Sequence, residues 1–159
     1  MSVGPTIQRQ QGTGGSLFTP NAPQNADAQN KSILIIDDSI TVRTIIEVNL
    51  SRAGYSCVSF ADGVSALRWL QQETPCIPRL LLLDVGLSGM DGYQIAHALR
   101  TNQRWNDMVI VMLTGRDRAT DRLKGHLAGA YVYLTKPFQI ERLVAIVQSI
   151  LHGTQPAAW

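Results

Sequence analysis

Short apolar runs alternate along the chain with longer stretches in which apolar residues recur every three or four positions. The short runs are typical of strands, and the periodic stretches are typical of helices. The predicted strands are β1 (Ser32–Asp37), β2 (Tyr55–Phe60), β3 (Arg79–Asp84), β4 (Met108–Leu113) and β5 (Tyr131–Leu134). The predicted helices are α1 (from its Ser39 cap to the stop at Gly54), α2 (Gly63–Gln72), α3 (Gly92–Arg100), α4 (Arg118–Leu127) and α5 (Ile140–Leu151).

The alternation of five strands with five helices predicts an α/β fold, a doubly wound parallel sheet with helices on both faces. β1, β3 and β4 are apolar almost throughout, as expected of strands that are covered on both faces. Crossover helices of this length imply parallel pairing and right-handed connections. In such folds the ligand site lies beyond the carboxyl ends of the strands.

Residues 1–31 differ in composition from the rest of the chain. They are rich in Gln, Gly, Asn, Pro and Thr, and Leu17-Phe18 is their only bulky apolar pair. Because such a segment cannot bury enough apolar surface to offset its ordering entropy, we expect a disordered tail. The expected domain spans residues 32–152, and residues 153–159 form a short C-terminal tail that is too small for a second domain.

Overall composition argues against several classes of protein. The net charge is +2 with 16% charged residues, and no run of Lys or Arg occurs, so we expect no nucleic-acid partner. No apolar run approaches the roughly 20 residues of a membrane helix, so we expect no membrane insertion. The two cysteines, Cys57 and Cys76, have no metal-ligand spacing and are not expected to form a structural disulfide. A cytoplasmic, reducing setting fits these features best.

Polar residues follow four of the apolar runs, at the points where the predicted strands end. Asp37 and Asp38 follow β1, Asp84 ends β3, Thr114 follows β4 and Lys136 follows β5. Since the carboxyl ends of parallel strands lie on one edge of the sheet, we expect these side chains to share one pocket. Taken singly, each residue has an ordinary interpretation as a helix cap, a structural hydroxyl or a surface lysine, but their combination favours a site.

The chemistry of this set fits a divalent cation and a phosphoryl group. Neighbouring carboxylates repel one another unless a cation lies between them, and Mg2+ prefers oxygen ligands. Asp84 is the candidate nucleophile, because a carboxylate can accept a phosphoryl group as an aspartyl phosphate. Lys136 would supply a positive charge and Thr114 a hydroxyl donor to the phosphoryl oxygens.

From residue 32 to about residue 151 the chain resembles the receiver domains of bacterial two-component response regulators, the CheY-like family. The residues that carry the resemblance are the Asp37-Asp38 pair, Asp84, Thr114, and Lys136 before Pro137-Phe138. The resemblance implies a flavodoxin-like strand order of 2-1-3-4-5 and a cis peptide bond before Pro137. It also implies Mg2+ held by Asp37, Asp38 and Asp84, and phosphoryl transfer to Asp84 from a histidine kinase.

The resemblance assigns further roles around this pocket. It implies that Tyr133 is an aromatic switch working with Thr114, and that a downstream protein binds the surface formed by α4, β5 and α5. It implies that the Gly86 backbone carbonyl is a metal ligand, and that Gly86 and Arg116 tune how long the phosphoryl group persists. One departure is Leu87-Ser88, where the family commonly has Met-Pro; this is expected to loosen the loop without removing a ligand.

The leading hypothesis is therefore a stand-alone response regulator, a signalling phosphoacceptor rather than an enzyme acting on other substrates. A finer resemblance to regulators of pilus-driven twitching motility and phototaxis, carried by the stretch from Lys124 to Phe138, favours an output of chemotaxis or pilus type. One alternative is a degenerate receiver that serves only as a scaffold. Another is an aspartate-nucleophile phosphatase, which the adjacent Asp37-Asp38 pair disfavours because those enzymes have Asp-x-Asp there.

Overall fold

Five parallel strands form one sheet in the order β2-β1-β3-β4-β5, which confirms the expected order 2-1-3-4-5. The structure is a computed structural model that describes residues 32–72, 77–115, 123–124 and 126–153. The strands are β1 Ser32–Ile36, β2 Ser56–Phe60, β3 Leu80–Asp84, β4 Val109–Thr114 and β5 Val132–Thr135. Each lies within one or two residues of its predicted bounds.

Four helices have described bounds: α1 Ile40–Arg52, α2 Gly63–Gln71, α3 Gly92–Arg100 and α5 Ile140–His152. Of the predicted α4, residues 123–124 and 126–127 are described and helical. The expected tails at residues 1–31 and 154–159, Cys76 and Arg116 lie outside the described residues. None of the helices that the structure describes is long and apolar enough to cross a membrane.

The apolar strands are buried on both faces, which explains their unbroken hydrophobic sequences. In β1, Ile33 and Ile35 belong to the core cluster beneath α1 and α5, and Leu34 and Ile36 belong to the cluster beneath α2 and α3. All four side chains are fully buried. Because successive residues point to opposite faces of a strand, a strand between two helical layers needs apolar residues at every position.

The buried stripe on α1 is narrower than the apolar face that the sequence spacing predicts, which consists of Val42, Ile45, Ile46, Leu50 and Ala53. Ile46 and Leu50 are fully buried, whereas Ile45 is 48% exposed. Ala53 is also exposed because it is the C-cap, where the chain leaves the helix. Ser39 is the N-cap, as predicted, and its side chain accepts a hydrogen bond from the Val42 N–H at 3.3 Å. The cap places the start of α1 directly after the end of β1.

Arg100, the last residue of α3, joins three separate segments of the chain. Its Nη1 donates to the carbonyl oxygens of Asn106 at 2.6 Å and Met108 at 2.8 Å, and its Nη2 donates to the carbonyl of Gly129 at 2.8 Å. Burial lowers the pKa of Arg100 from its ordinary value. Gly129 has φ of +82°, and a Cβ atom there would lie 2.5 Å from Arg100 Nε, so only glycine fits against the guanidinium.

We expect Arg100→Met to lower the free energy of unfolding by about 2 kcal/mol or more, because three carbonyl groups, two of them in partly buried contacts, lose a charged donor. Urea unfolding measures the change. Arg104→Met is the matched control, since Arg104 is exposed and makes one side-chain contact of 3.4 Å with the Gln72 carbonyl. Equal unfolding midpoints for the two variants would contradict the role assigned to Arg100.

Gly92 begins α3 at a point where the helix passes very close to the end of β3. A Cβ atom at this position would lie 2.5 Å from the Asp84 carbonyl oxygen and 2.9 Å from Val85 Cα. The obstructing atoms belong to the backbone, so they cannot move aside as the end of a flexible side chain can. The absence of a side chain at Gly92 therefore sets how closely α3 approaches Asp84.

Gly92→Ala is expected to cost about 1–3 kcal/mol of stability, because the added methyl group forces α3 and the end of β3 apart. The matched control is Gly115→Ala, directly after β4, where a Cβ atom meets no atom of the described residues within 4 Å. Thermal unfolding of both variants tests this expectation, which fails if the two substitutions are tolerated equally.

Candidate functional site

The carboxyl ends of β1, β3, β4 and β5 bring the predicted polar residues together at one edge of the sheet. Asp37 follows β1, Asp84 and Thr114 are the last residues of β3 and β4, and Lys136 follows β5. The Lys136 N–H donates to the Thr114 carbonyl at 2.7 Å, which fixes the start of the loop after β5 against β4. Parallel register, rather than nearness in sequence, assembles this set.

Asp37 is fully buried, and its carboxylate is paired on both oxygens. Lys136 Nζ lies 2.5 Å from Asp37 Oδ2, and the Ser39 N–H donates to Oδ1 at 2.9 Å. Arg43, one turn into α1, donates from Nη1 to the Asp37 carbonyl at 2.5 Å. These contacts compensate a charge that would otherwise be costly to remove from water.

Asp84 is 6% exposed and lies on the other side of the same ammonium group. Its Oδ1 is 3.3 Å from Lys136 Nζ and accepts a hydrogen bond from the Gly86 N–H at 3.2 Å. Burial raises the pKa of Asp84 above its ordinary value, and the negative charge of Asp37 raises it further. The Gly86 and Lys136 donors oppose this rise without cancelling it.

Three carboxylates form a cluster that is able to hold a metal ion. Asp37, Asp38 and Asp84 each offer one oxygen, and these oxygens all lie within 4.8 Å of one another. Asp38 is exposed, whereas the other two are buried. Lys136 contacts Asp37 and Asp84 but supplies a single positive charge beside three clustered carboxylates, so the donor set fits a hard cation with oxygen ligands.

The remaining predicted residues surround this cluster. Thr114 is 3% exposed, and the peptide bond between Lys136 and Pro137 is cis, as the resemblance implied. Tyr133 is half-buried, and its hydroxyl donates to the Tyr93 hydroxyl at 3.0 Å. Gly86 contacts Asp84 through its N–H; the role of its carbonyl as a metal ligand stays a prediction.

Sequence reasoning assigned no role in the site to three residues that the structure places at this edge: Arg43, Gly92 and Tyr93. Gly92 and Tyr93 begin a helix that was predicted, so the order of strand and helix could have indicated their position near the end of β3. No local signal identified Arg43, because its contact with Asp37 depends on the path of the chain into α1.

Asp84→Asn is expected to raise the free energy of unfolding at neutral pH in buffer without divalent cations. A pKa raised by folding means that the fold favours the protonated carboxyl, so stability falls as pH rises from the ordinary pKa through the raised one. Asparagine is uncharged throughout and removes that cost. Urea unfolding of both proteins at successive pH values should therefore show a difference that shrinks on acidification.

The control for this measurement is Asp107→Asn, which alters an exposed carboxylate outside the cluster. It should leave stability at neutral pH within about 0.5 kcal/mol of the native chain. An Asp84→Asn variant that is no more stable than the native chain at neutral pH would show that burial does not disfavour the ionised Asp84.

Residues 33–148 match the family described as response regulator receiver domain. Among curated proteins, the chain is 39% identical over 129 residues to "Probable transcriptional regulator ycf27" of Cyanophora paradoxa, covering 81% of the chain and 52% of that protein. It is 35% identical over 122 residues to the "DNA-binding dual master transcriptional regulator RpaA" of Synechocystis, covering 77% and 49%. The chain thus spans about half the length of these relatives.

Solved structures of similar proteins share the fold. The chemotaxis protein CheY4 of Vibrio cholerae is 30% identical with a TM-score of 0.69, over 75% of this chain and 97% of that one. The response regulator DrrB of Thermotoga maritima, an OmpR/PhoB homolog, is 26% identical with a TM-score of 0.68, over 78% and 54%. With a family match across most of its length and these pocket residues at the strand ends, the chain belongs to the response regulator receiver domain family.

Proposed function

We propose that the chain is a phosphorylation-controlled switch in which Asp84 accepts a phosphoryl group from a histidine kinase, with Mg2+ as the cofactor. The observation that carries the proposal is the position of Lys136 Nζ, 2.5 Å from Asp37 and 3.3 Å from Asp84. One ammonium group between two buried carboxylates creates a place where a cation and a phosphoryl group can balance each other's charge. This is the arrangement that phosphoryl transfer requires, since positioning and neutralisation dominate its catalysis.

The transfer step uses Asp84 as the nucleophile. A carboxylate oxygen of Asp84 forms a bond to phosphorus while the phosphorus–nitrogen bond of a phosphohistidine breaks, and the leaving imidazole nitrogen keeps the electron pair. Within the described residues, both contacts of the carboxylate are made through Oδ1, from Gly86 and Lys136. Oδ2 makes neither of these contacts and is the oxygen to which we assign the attack.

The surrounding residues supply the charge balance. Mg2+, held by Asp37, Asp38 and Asp84 with the Gly86 carbonyl, would neutralise the phosphoryl oxygens during transfer. Lys136 needs to shift its closest contact from Asp37 to a phosphoryl oxygen, which becomes favourable once a cation compensates Asp37. The Thr114 hydroxyl then binds a second phosphoryl oxygen.

The proposed output is a change in the surface formed by α4, β5 and α5, read by a downstream protein. Thr114 and Tyr133 lie on β4 and β5, so a movement of the Thr114 hydroxyl toward the phosphoryl group can be transmitted to Tyr133. Large apolar side chains are exposed near this surface: Leu123 at 61%, Leu127 at 77% and Tyr131 at 58%. Exposed apolar groups of this size support a protein-binding role.

The identity of the output rests on weaker support. The resemblance to pilus regulators and the likeness to a chemotaxis protein favour motility. The names of the curated relatives, one of which is described as DNA-binding, favour transcription instead. Because the chain spans about half of those relatives, their DNA binding is not carried over, and control of motility through a protein contact stays our working hypothesis.

Incubation with a small phosphodonor such as acetyl phosphate, in the presence of Mg2+, should add one phosphoryl group to the native chain. Asp84→Asn should gain none, because the amide is not a nucleophile. Asp107→Asn, which keeps the whole pocket, should be modified as the native chain is. Intact-mass spectrometry measures all three proteins, and chelation of Mg2+ should abolish the modification.

The same experiment separates the alternatives. If Asp84→Asn is modified as readily as the native chain, the proposal is wrong. If the native chain gains no phosphoryl group and Mg2+ does not raise its unfolding temperature, a degenerate scaffold is favoured. If catalytic amounts of the chain turn over a phosphoester many times, the phosphatase alternative is favoured.

A further inference from the structure

Two tyrosines from distant parts of the chain meet through their hydroxyl groups. The Tyr133 hydroxyl on β5 donates to the Tyr93 hydroxyl in the first turn of α3 at 3.0 Å, across 40 positions of sequence. Both rings are half-buried and pack against the core cluster beneath α2 and α3. The contact therefore joins β5, which carries the proposed switch residue Tyr133, to α3, which follows β3 on the other side of β4.

Tyr93 is held in place by its own surroundings. The Tyr93 N–H donates to the Asp91 carboxylate at 2.9 Å, within a capping box that Gln94 completes. Directly before it, the Gly92 N–H donates to the Val85 carbonyl at 3.5 Å, and a Cβ atom at Gly92 would lie 2.5 Å from the Asp84 carbonyl oxygen, so the first turn of α3 packs closely against the end of β3. The Tyr93 hydroxyl is thus presented from a position tied to the backbone of Asp84.

Tyr93 also lines a cavity next to the cluster of carboxylates. Tyr93, Gly86 and Thr114 line one cavity of about 500 Å³, together with Lys124 from the described part of α4. A rotation of Tyr133 away from Tyr93 would therefore take place beside the residues assigned to the phosphoryl group and its readout.

We propose that Tyr93 is a positioning residue for Tyr133: its hydroxyl accepts the hydrogen bond that holds the Tyr133 ring toward α3. A hydrogen bond between two neutral, half-buried hydroxyls has a modest net effect, comparable to the free-energy gap between two positions of one ring. Its loss should change the ratio of the two ring positions by roughly 2- to 10-fold, while leaving the fold intact.

The consequence for signalling rests on the proposed function. If phosphorylation of Asp84 biases the position of Tyr133, then the position of Tyr133 biases the phosphorylated state by the same factor, because coupling between two sites is reciprocal. Tyr93 would then help to set how strongly this receiver responds. A phenylalanine at position 93 would keep the ring and its packing, and would remove the hydroxyl that accepts the Tyr133 hydrogen bond.

The test uses the full chain labelled with 3-fluorotyrosine, in which fluorine NMR reports the surroundings of each of its four tyrosine rings. Tyr93→Phe should change the ratio of the two components of the Tyr133 signal by roughly 2- to 10-fold. The matched control is Tyr55→Phe, which also removes a tyrosine hydroxyl with a hydrogen-bond partner, His152 Nε2 at 3.2 Å. That variant should leave the Tyr133 signal unchanged.

Repeating the spectra with beryllofluoride and Mg2+, which mimic the phosphoryl group, separates this inference from the proposed function. If beryllofluoride leaves the native Tyr133 signal unchanged but Tyr93→Phe alters it, the positioning role of Tyr93 is supported and the proposed phosphorylation switch is contradicted. If the native signal responds to beryllofluoride but is the same in Tyr93→Phe, the positioning role is overturned and the switch stands. A Tyr133 signal that changes equally in Tyr55→Phe and Tyr93→Phe also overturns the positioning role.

Discussion

The Asp37 carboxylate is fully buried at the end of β1, the strand between β2 and β3 in the sheet. The need to pair this carboxylate with a positive charge organises the site. An unpaired buried charge is costly, so the Lys136 ammonium must reach it from the end of β5. β1 and β5 are three strand spacings apart, about 14 Å, and the end of β3 lies between them. Because the Lys136 ammonium crosses this distance to reach Asp37, it also lies within 3.3 Å of Asp84.

Much of the remaining fold holds these groups at the same edge. Strands that are buried on both faces keep the register between β1, β3, β4 and β5 rigid. Gly92 lets α3 approach the end of β3, and the Ser39 cap starts α1 immediately after Asp37. A chain built in this way presents three clustered carboxylates and one ammonium group, which leaves negative charge for a bound cation to balance.

The strands and the pocket residues were predictable because burial on both faces leaves unbroken apolar runs, such as Leu80–Leu83, with polar residues at their ends. The strand order came from the family resemblance, since the sequence pattern alone did not specify it. The closer pairing of Lys136 with Asp37 than with Asp84 was not predictable, because it depends on side-chain reach across the sheet. The contact between Tyr93 and Tyr133 was missed for a similar reason, as it joins residues 40 positions apart.

The most direct test of the central claim is a structure determined with beryllofluoride and Mg2+. The account predicts beryllofluoride on an Asp84 oxygen, a cation among Asp37, Asp38 and Asp84, and Lys136 Nζ moved from Asp37 to a fluorine atom. It would be contradicted by a structure in which Asp84 is unmodified under saturating beryllofluoride and Lys136 keeps its contact with Asp37.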